Sequence, residues 1–271
     1  MASPLPPERS HPEGDSQDGG RMSFFDHLNE LRKRLIYSVA AVLVGTVVGL
    51  RFSTYAYGLI ARPMMGALRE HHLEERLIYT SPTGAVNMYL KLAVYIGLVL
   101  ASPVVLHQVW LFIAPGLYKH ERRAATLFIL SSVTLFLSGI AFCYFVLLPY
   151  TLSFLVGFNM PYFTPFISIN EYWDLVLILM LGLGLVFQMP ILIFFLALFG
   201  IVTPGFLWRN FRYAILIISI VAAIITPTPD ALTMIVFMAP MIALYAVGIG
   251  VAAVVVRRKR RADTVARQGA D

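Results

Sequence analysis

The 271-residue chain holds one cysteine, Cys143, and only 13% of its residues are charged. A single thiol excludes a disulfide framework and leaves no partner for a CxxC or structural metal site. The shortage of charge excludes an ordinary soluble enzyme, in which about a quarter of residues are charged. Disorder of the whole chain is excluded too, because 58% of the residues are apolar and the mean hydropathy is +0.75. The motifs of catalysis are missing as well: no GxxxxGK[ST], no HExxH, no GxSxG and no Cys/His ligand spacing. An enzyme is therefore not expected, and no cofactor or metal is called for. The net charge of +6 suggests a nucleic-acid partner until its placement is considered. The cations stand at the ends of apolar runs, which is the pattern of a multi-span membrane protein and not of a nucleic-acid binder.

Residues 1–22 differ from the rest, with four prolines, the acids Glu8, Glu13, Asp15 and Asp18, and no apolar periodicity. They read as a disordered tail and lack the ordered parts of a secretory signal. Over 23–35, Phe24, Leu28, Leu31 and Leu35 form one apolar stripe at helical spacing. Ser23 and Asp26 match the capping spacing of a helix start. This segment is expected to be a short amphipathic helix lying at the membrane surface before the chain turns inward.

Six apolar runs follow, at 35–52, 88–113, 124–150, 170–199, 211–226 and 231–256, so the fold class is an all-α integral membrane protein. The fourth run exceeds the ~20 residues that cross a bilayer and is expected to tilt or protrude. The fifth is short and is expected to end within the hydrocarbon depth at the proline-bearing Thr226–Asp230 tip. Pro103, Pro190 and Pro240 interrupt runs and are expected to bend them, enclosing a concave face.

With the N-terminus inside, the inner segments carry 16 of the 21 Lys and Arg residues, and all five on the outer side fall in the first outer loop. Both termini are then cytoplasmic. Residues 23–256 form the membrane domain, and 257–271 form a basic cytoplasmic tail. Trp110 and Trp208 fall near inner ends and Trp173 near an outer end, as expected for tryptophans at a membrane interface.

Acids within such a chain are few and informative. Glu70, Glu74 and Glu75, beside His71 and His72, read better as a solvated loop than as a metal patch. Glu171 and Asp174 read as a solvated outer rim. Glu121 stands among cations in a tight inner loop, and Glu30 has Arg34 one helical turn away. Each has two readings: local pairing, or a carboxylate offered to a guanidinium, which the Arg fork suits. Gln188 likewise either satisfies polar groups near Pro190, locally or across to another helix, or contacts a partner helix or substrate.

Four segments carry a resemblance: HLNELRKRL at 27–35, SPVVLHQVWLFIAPGLYKHERR at 102–123, GLVFQMPI at 184–191 and TPTPD at 226–230. On these the chain resembles the TatC family, the polytopic core of the twin-arginine protein translocase. The resemblance implies a signal-peptide receptor, with Glu30, Glu121, Phe112 and Arg32 at the positions that receive paired arginines. It implies partner helices from TatA and TatB, self-association, and transport driven by the proton-motive force. Gln188 stands where the family has an intramembrane Glu, and Asp230 ends a tip with one residue more than the family's TPPD. The competing reading is a secondary transporter for a small cationic solute. The lack of a visible internal repeat and of a charged midplane site weighs against it.

Overall fold

The computed structural model describes residues 24–113, 122–157, 166–226 and 230–268. In order these form α1 (Phe24–Glu70), α2 (Gly84–Ile113), α3 (Arg122–Phe142), a π-helical turn (Cys143–Leu147) and α4 (Leu148–Gly157). Then come α5 (Ile169–Val186), α6 (Met189–Leu198), α7 (Pro204–Arg209), α8 (Phe211–Ile225) and α9 (Ala231–Gln268). Helices dominate because lipid offers backbone groups no partners, and a helix satisfies them within one segment. Five stretches are long and apolar enough to cross a membrane: Leu28–Glu70, Gly84–Ile113, Thr126–Gly157, Ile169–Leu198 and Ala231–Lys259. Phe211–Ile225 is the shorter sixth, so the all-α membrane fold is the one expected from the apolar runs.

The start of the chain differs from expectation. A surface helix, a span ending at residue 52 and the first part of a polar outer loop are replaced by one helix of 47 residues, leaving 71–83 as the connection to α2. At 1.5 Å per residue its contour is about 70 Å, well beyond the ~30 Å hydrocarbon core. Past residue 52 the apolar run breaks up, but Ile60, Met64, Ala67 and Leu68 keep helical spacing and are all buried. They share a core with Met88 and Leu92 of α2 and Leu148, Leu152 and Val156 of α4. A narrow stripe of this kind sustains a helix once neighbours cover it.

Pro63 lies inside α1 without ending it. A proline lacks the N–H that would serve the carbonyl four residues earlier. That carbonyl, Leu59 O, instead accepts from Tyr144 Oη at 2.8 Å, and the adjacent Ile60 O accepts from Tyr172 Oη at 2.5 Å. α2 likewise runs through Pro103, and the Ser102 hydroxyl donates to Val99 O, the carbonyl that Pro103 leaves without its helical donor. α9 runs through Pro240 and on past Val256 to Gln268. The fourth run is divided at Phe187 and Gln188 into α5 and α6, which together form one apolar stretch of 30 residues, Ile169–Leu198. Pro190 sits in the first turn of α6, where its missing N–H has no helical partner to lose.

Two of the three tryptophans are packed against protein. Trp110 is 3% exposed and Trp173 is fully buried, whereas Trp208 is 70% exposed. Their rings fill the core: Trp110 stacks on Phe195 at 4.9 Å between centroids, and Trp173 on Tyr57 at 5.9 Å. A large flat ring suits a helix crossing as well as it suits the headgroup region.

Candidate functional site

α1 and α2 pack antiparallel with no side chain between them at two points. A Cβ placed on Gly45 would lie 2.5 Å from Gly97 O, and one on Gly49 would collide with Ala93 O. Small residues let helix backbones approach closely in lipid. This register fixes what meets at the Glu30 end of the pair. Three turns from Gly45, Arg34 of α1 reaches Gln108 of α2, its Nη1 donating to Gln108 Oε1 at 3.3 Å. One turn further along α1 and α2, Glu30 and Phe112 stand at the same level.

Glu30 and Arg34 form the i, i+4 pair that their spacing allows. Arg34 Nε donates to Glu30 Oε1 at 3.1 Å, and Nη2 donates to the same oxygen. Both side chains are about one-fifth exposed, at 21% and 19%. Arg32 and Lys33 point outward from the same turn and are exposed, and Phe112 is half-buried. Glu121 and the loop around it, which carries the second half of the expected site, lie outside the described residues. So do the 1–22 tail, Ser23 and residues 227–229 of the proline-bearing tip.

Directly beyond Arg34 and Gln108 a groove opens, with a volume of about 350 Å³. Ser38, Val42 and Leu98 of α1 and α2 line its sides, and Phe136, Leu181 and Leu185 close its back. Ser38 is one turn from Arg34, and Val105 is one turn from Gln108. A carboxylate paired with Arg34 therefore stands two turns along α1 from an apolar trough. That arrangement suits a chain with cations at one end and an apolar stretch after them.

Gln188 takes a different part. Its Oε1 accepts from Ser132 Oγ at 2.6 Å and its Nε2 donates to Ser132 O at 3.0 Å. Ser132 Oγ in turn accepts from Trp110 Nε1 at 2.8 Å. Gly139 and Gly184 bring α3 against α5 closely enough for this, since a Cβ on Gly139 would lie 2.9 Å from Leu183 O. Gln188 thus joins three helices, answering the reading in which it pairs across to another helix. Asp230 caps α9, its Oδ2 accepting from Thr233 N at 2.7 Å. Gln108, Ser132 and Trp110 were absent from the expected site. The available signal was polarity for Gln108 and Ser132, which interrupt apolar runs.

On the far side of the first span, His71 Nε2 lies 3.2 Å from Ser153 Oγ, which donates to Glu70 Oε2 at 2.9 Å. Arg69 pairs with Glu75 at 2.7 Å, and Lys91 with Asp174 at 2.5 Å. Among the described residues, no group of three or more His, Cys, Asp or Glu is placed to hold a metal ion.

A many-span helical membrane protein, with an acidic contact heading a dry groove and a neutral polar junction within its spans, is the class these features define. Residues 26–240 match the family described as Sec-independent protein translocase protein (TatC). The chain belongs to the TatC family. It is 52% identical to the Sec-independent protein translocase protein TatC of Koribacter versatilis over 92% of each chain. It is 36% identical to that of Aquifex aeolicus, covering 88% of this chain and 98% of the other. Among solved structures it resembles the crystal structure of the twin arginine translocase receptor TatC, with a TM-score of 0.72 and 37% identity. That match covers 83% of this chain and 97% of the other.

Proposed function

We propose that this chain is the signal-peptide receptor of a twin-arginine translocase and carries no catalytic activity. Paired arginines of a precursor's signal are received by Glu30 and Glu121, with Phe112 beside the pair and Arg32 at the rim. The apolar stretch that follows them enters the groove between α1 and α2. The observation that carries this reading is the carboxylate of Glu30 on α1 two turns before the groove that begins at Ser38, with Arg34 between them. An Arg fork matches a carboxylate in two hydrogen bonds, and apolar burial beyond it adds affinity without sequence detail.

The protein acts in the cell membrane with both termini cytoplasmic, as the loop cations favour. TatA- and TatB-type subunits and further copies of the chain complete the translocase, and the proton-motive force drives transport. Pro103, Pro190, Gln188 and Asp230 shape the helices that such partners meet.

Glu30→Ala and Glu121→Ala are each expected to lower crosslinking to a twin-arginine signal peptide while the protein remains inserted. Export of a folded reporter is expected to require both this chain and Arg-Arg, not Lys-Lys, in the signal. Normal binding and export by both variants would sink the carboxylate assignment.

A further inference from the structure

The guanidinium held by Glu30 is the chain's own. Arg34 places two donors, Nε and Nη2, on one carboxylate oxygen, Oε1, and its third donating nitrogen on Gln108 Oε1 of the neighbouring helix. Glu30 Oε2 accepts from none of the described residues. The site thus already holds the chemical group it is read as receiving, in a geometry that among the described residues uses only one oxygen of the carboxylate.

We infer that Arg34 is an internal competitor that sets the receptor's preference for arginine over lysine. This rests on the proposed receptor function. A bidentate guanidinium needs both oxygens of the carboxylate, so an incoming arginine docks fully only when Arg34 releases Oε1. Gln108 is the acceptor that keeps Arg34 in place after release, because one of its nitrogens is already there. An arginine of the ligand replaces the two N–H bonds that Arg34 makes to Oε1 with two of its own, and the exchange is close to balanced. A lysine offers a compact ammonium, which can take Oε2 as a point charge but cannot replace a pair of guanidinium N–H bonds. It also meets the undisplaced charge of Arg34 at close range. Lysine is therefore penalised twice, and the penalty comes from the receptor's own residue.

An ordinary i, i+4 pair on a helix surface does less than this: it adds a few tenths of a kcal/mol to its helix and discriminates against no ligand. The two roles separate in a binding experiment. The probes are fluorescent signal peptides with Arg-Arg or Lys-Lys, titrated into the full-length chain in nanodiscs. In Arg34→Gln, Arg-Arg binding is expected to tighten about two- to fivefold, the worth of a partly exposed ion pair. Lys-Lys binding is expected to tighten more, so the ratio of the two dissociation constants falls by about fivefold or more. Arg34→Lys, which keeps charge but loses the fork, is expected to fall between Arg34→Gln and the parent chain.

An unchanged ratio in Arg34→Gln would show that the pair only supports the helix. Weakened Arg-Arg binding would show that Arg34 helps hold the ligand, and either result overturns the inference. Glu30→Gln in the parent background tests the receptor reading separately. If it leaves both peptides bound as before, the ligand site lies elsewhere, whatever Arg34 does.

Discussion

Ser132 is the smallest side chain with the largest responsibility among the described residues. It is fully buried, accepts from Trp110 Nε1 and donates to Gln188 Oε1. Ser132→Ala removes one acceptor and one donor at once, leaving the indole N–H without its bond in a dry setting. The expected loss is about 1–2 kcal/mol, read from denaturant unfolding in micelles. Ser131→Ala is the matched control. Its hydroxyl is exposed and bonds only Leu127 O of its own helix, so no measurable change is expected. The Glu30–Arg34 pair was legible in the sequence, because four-residue spacing on a helix needs no tertiary information. Gln108 was not: it lies 74 residues from Arg34, and only the Gly45–Gly97 register brings it there.

At the scale of elements, the prolines show how the helices are held. Tyr144 and Tyr172 serve two adjacent carbonyls of α1 around Pro63, one from within the π-helical turn and one from α5. Tyr144→Phe is expected to cost about 1 kcal/mol in the parent chain. In Pro63→Ala, where an intrahelical N–H again reaches Leu59 O, the same substitution is expected to cost little. A double-mutant cycle measures the difference, and additive effects would refute the carbonyl-serving role. The apolar runs marked out five long spans and one short one because crossing lipid demands unbroken length. The outer third of α1 was hidden for the opposite reason. Its buried stripe of Ile60, Met64, Ala67 and Leu68 is interleaved with Arg62, Pro63, Gly66 and Arg69, and reads as a loop until α2 and α4 cover it. The tryptophan positions did not reveal that Trp110 and Trp173 are packed inside the protein, since one aromatic preference serves both core and interface.

For the whole molecule, stability resides in the helix crossings and not in the surface charges. Arg69 donates two hydrogen bonds to the Glu75 carboxylate and so holds its pKa below the ordinary value, yet both groups are exposed. A depressed carboxyl pKa stabilises the fold above the unfolded value and loses that contribution as pH falls through the folded one. Solvent screening makes the term small. Glu75→Gln is accordingly expected to leave the thermal midpoint unchanged near neutral pH, as followed by intrinsic fluorescence in detergent.

The junction of Trp110, Ser132 and Gln188 carries a last consequence. A transmembrane voltage does work of about 2.3 kcal/mol on each elementary charge moved through 100 mV. None of these three side chains ionises, so the field finds nothing there to push. That junction is electrically silent, a fixed hinge-pin around which a voltage must act through charges placed elsewhere.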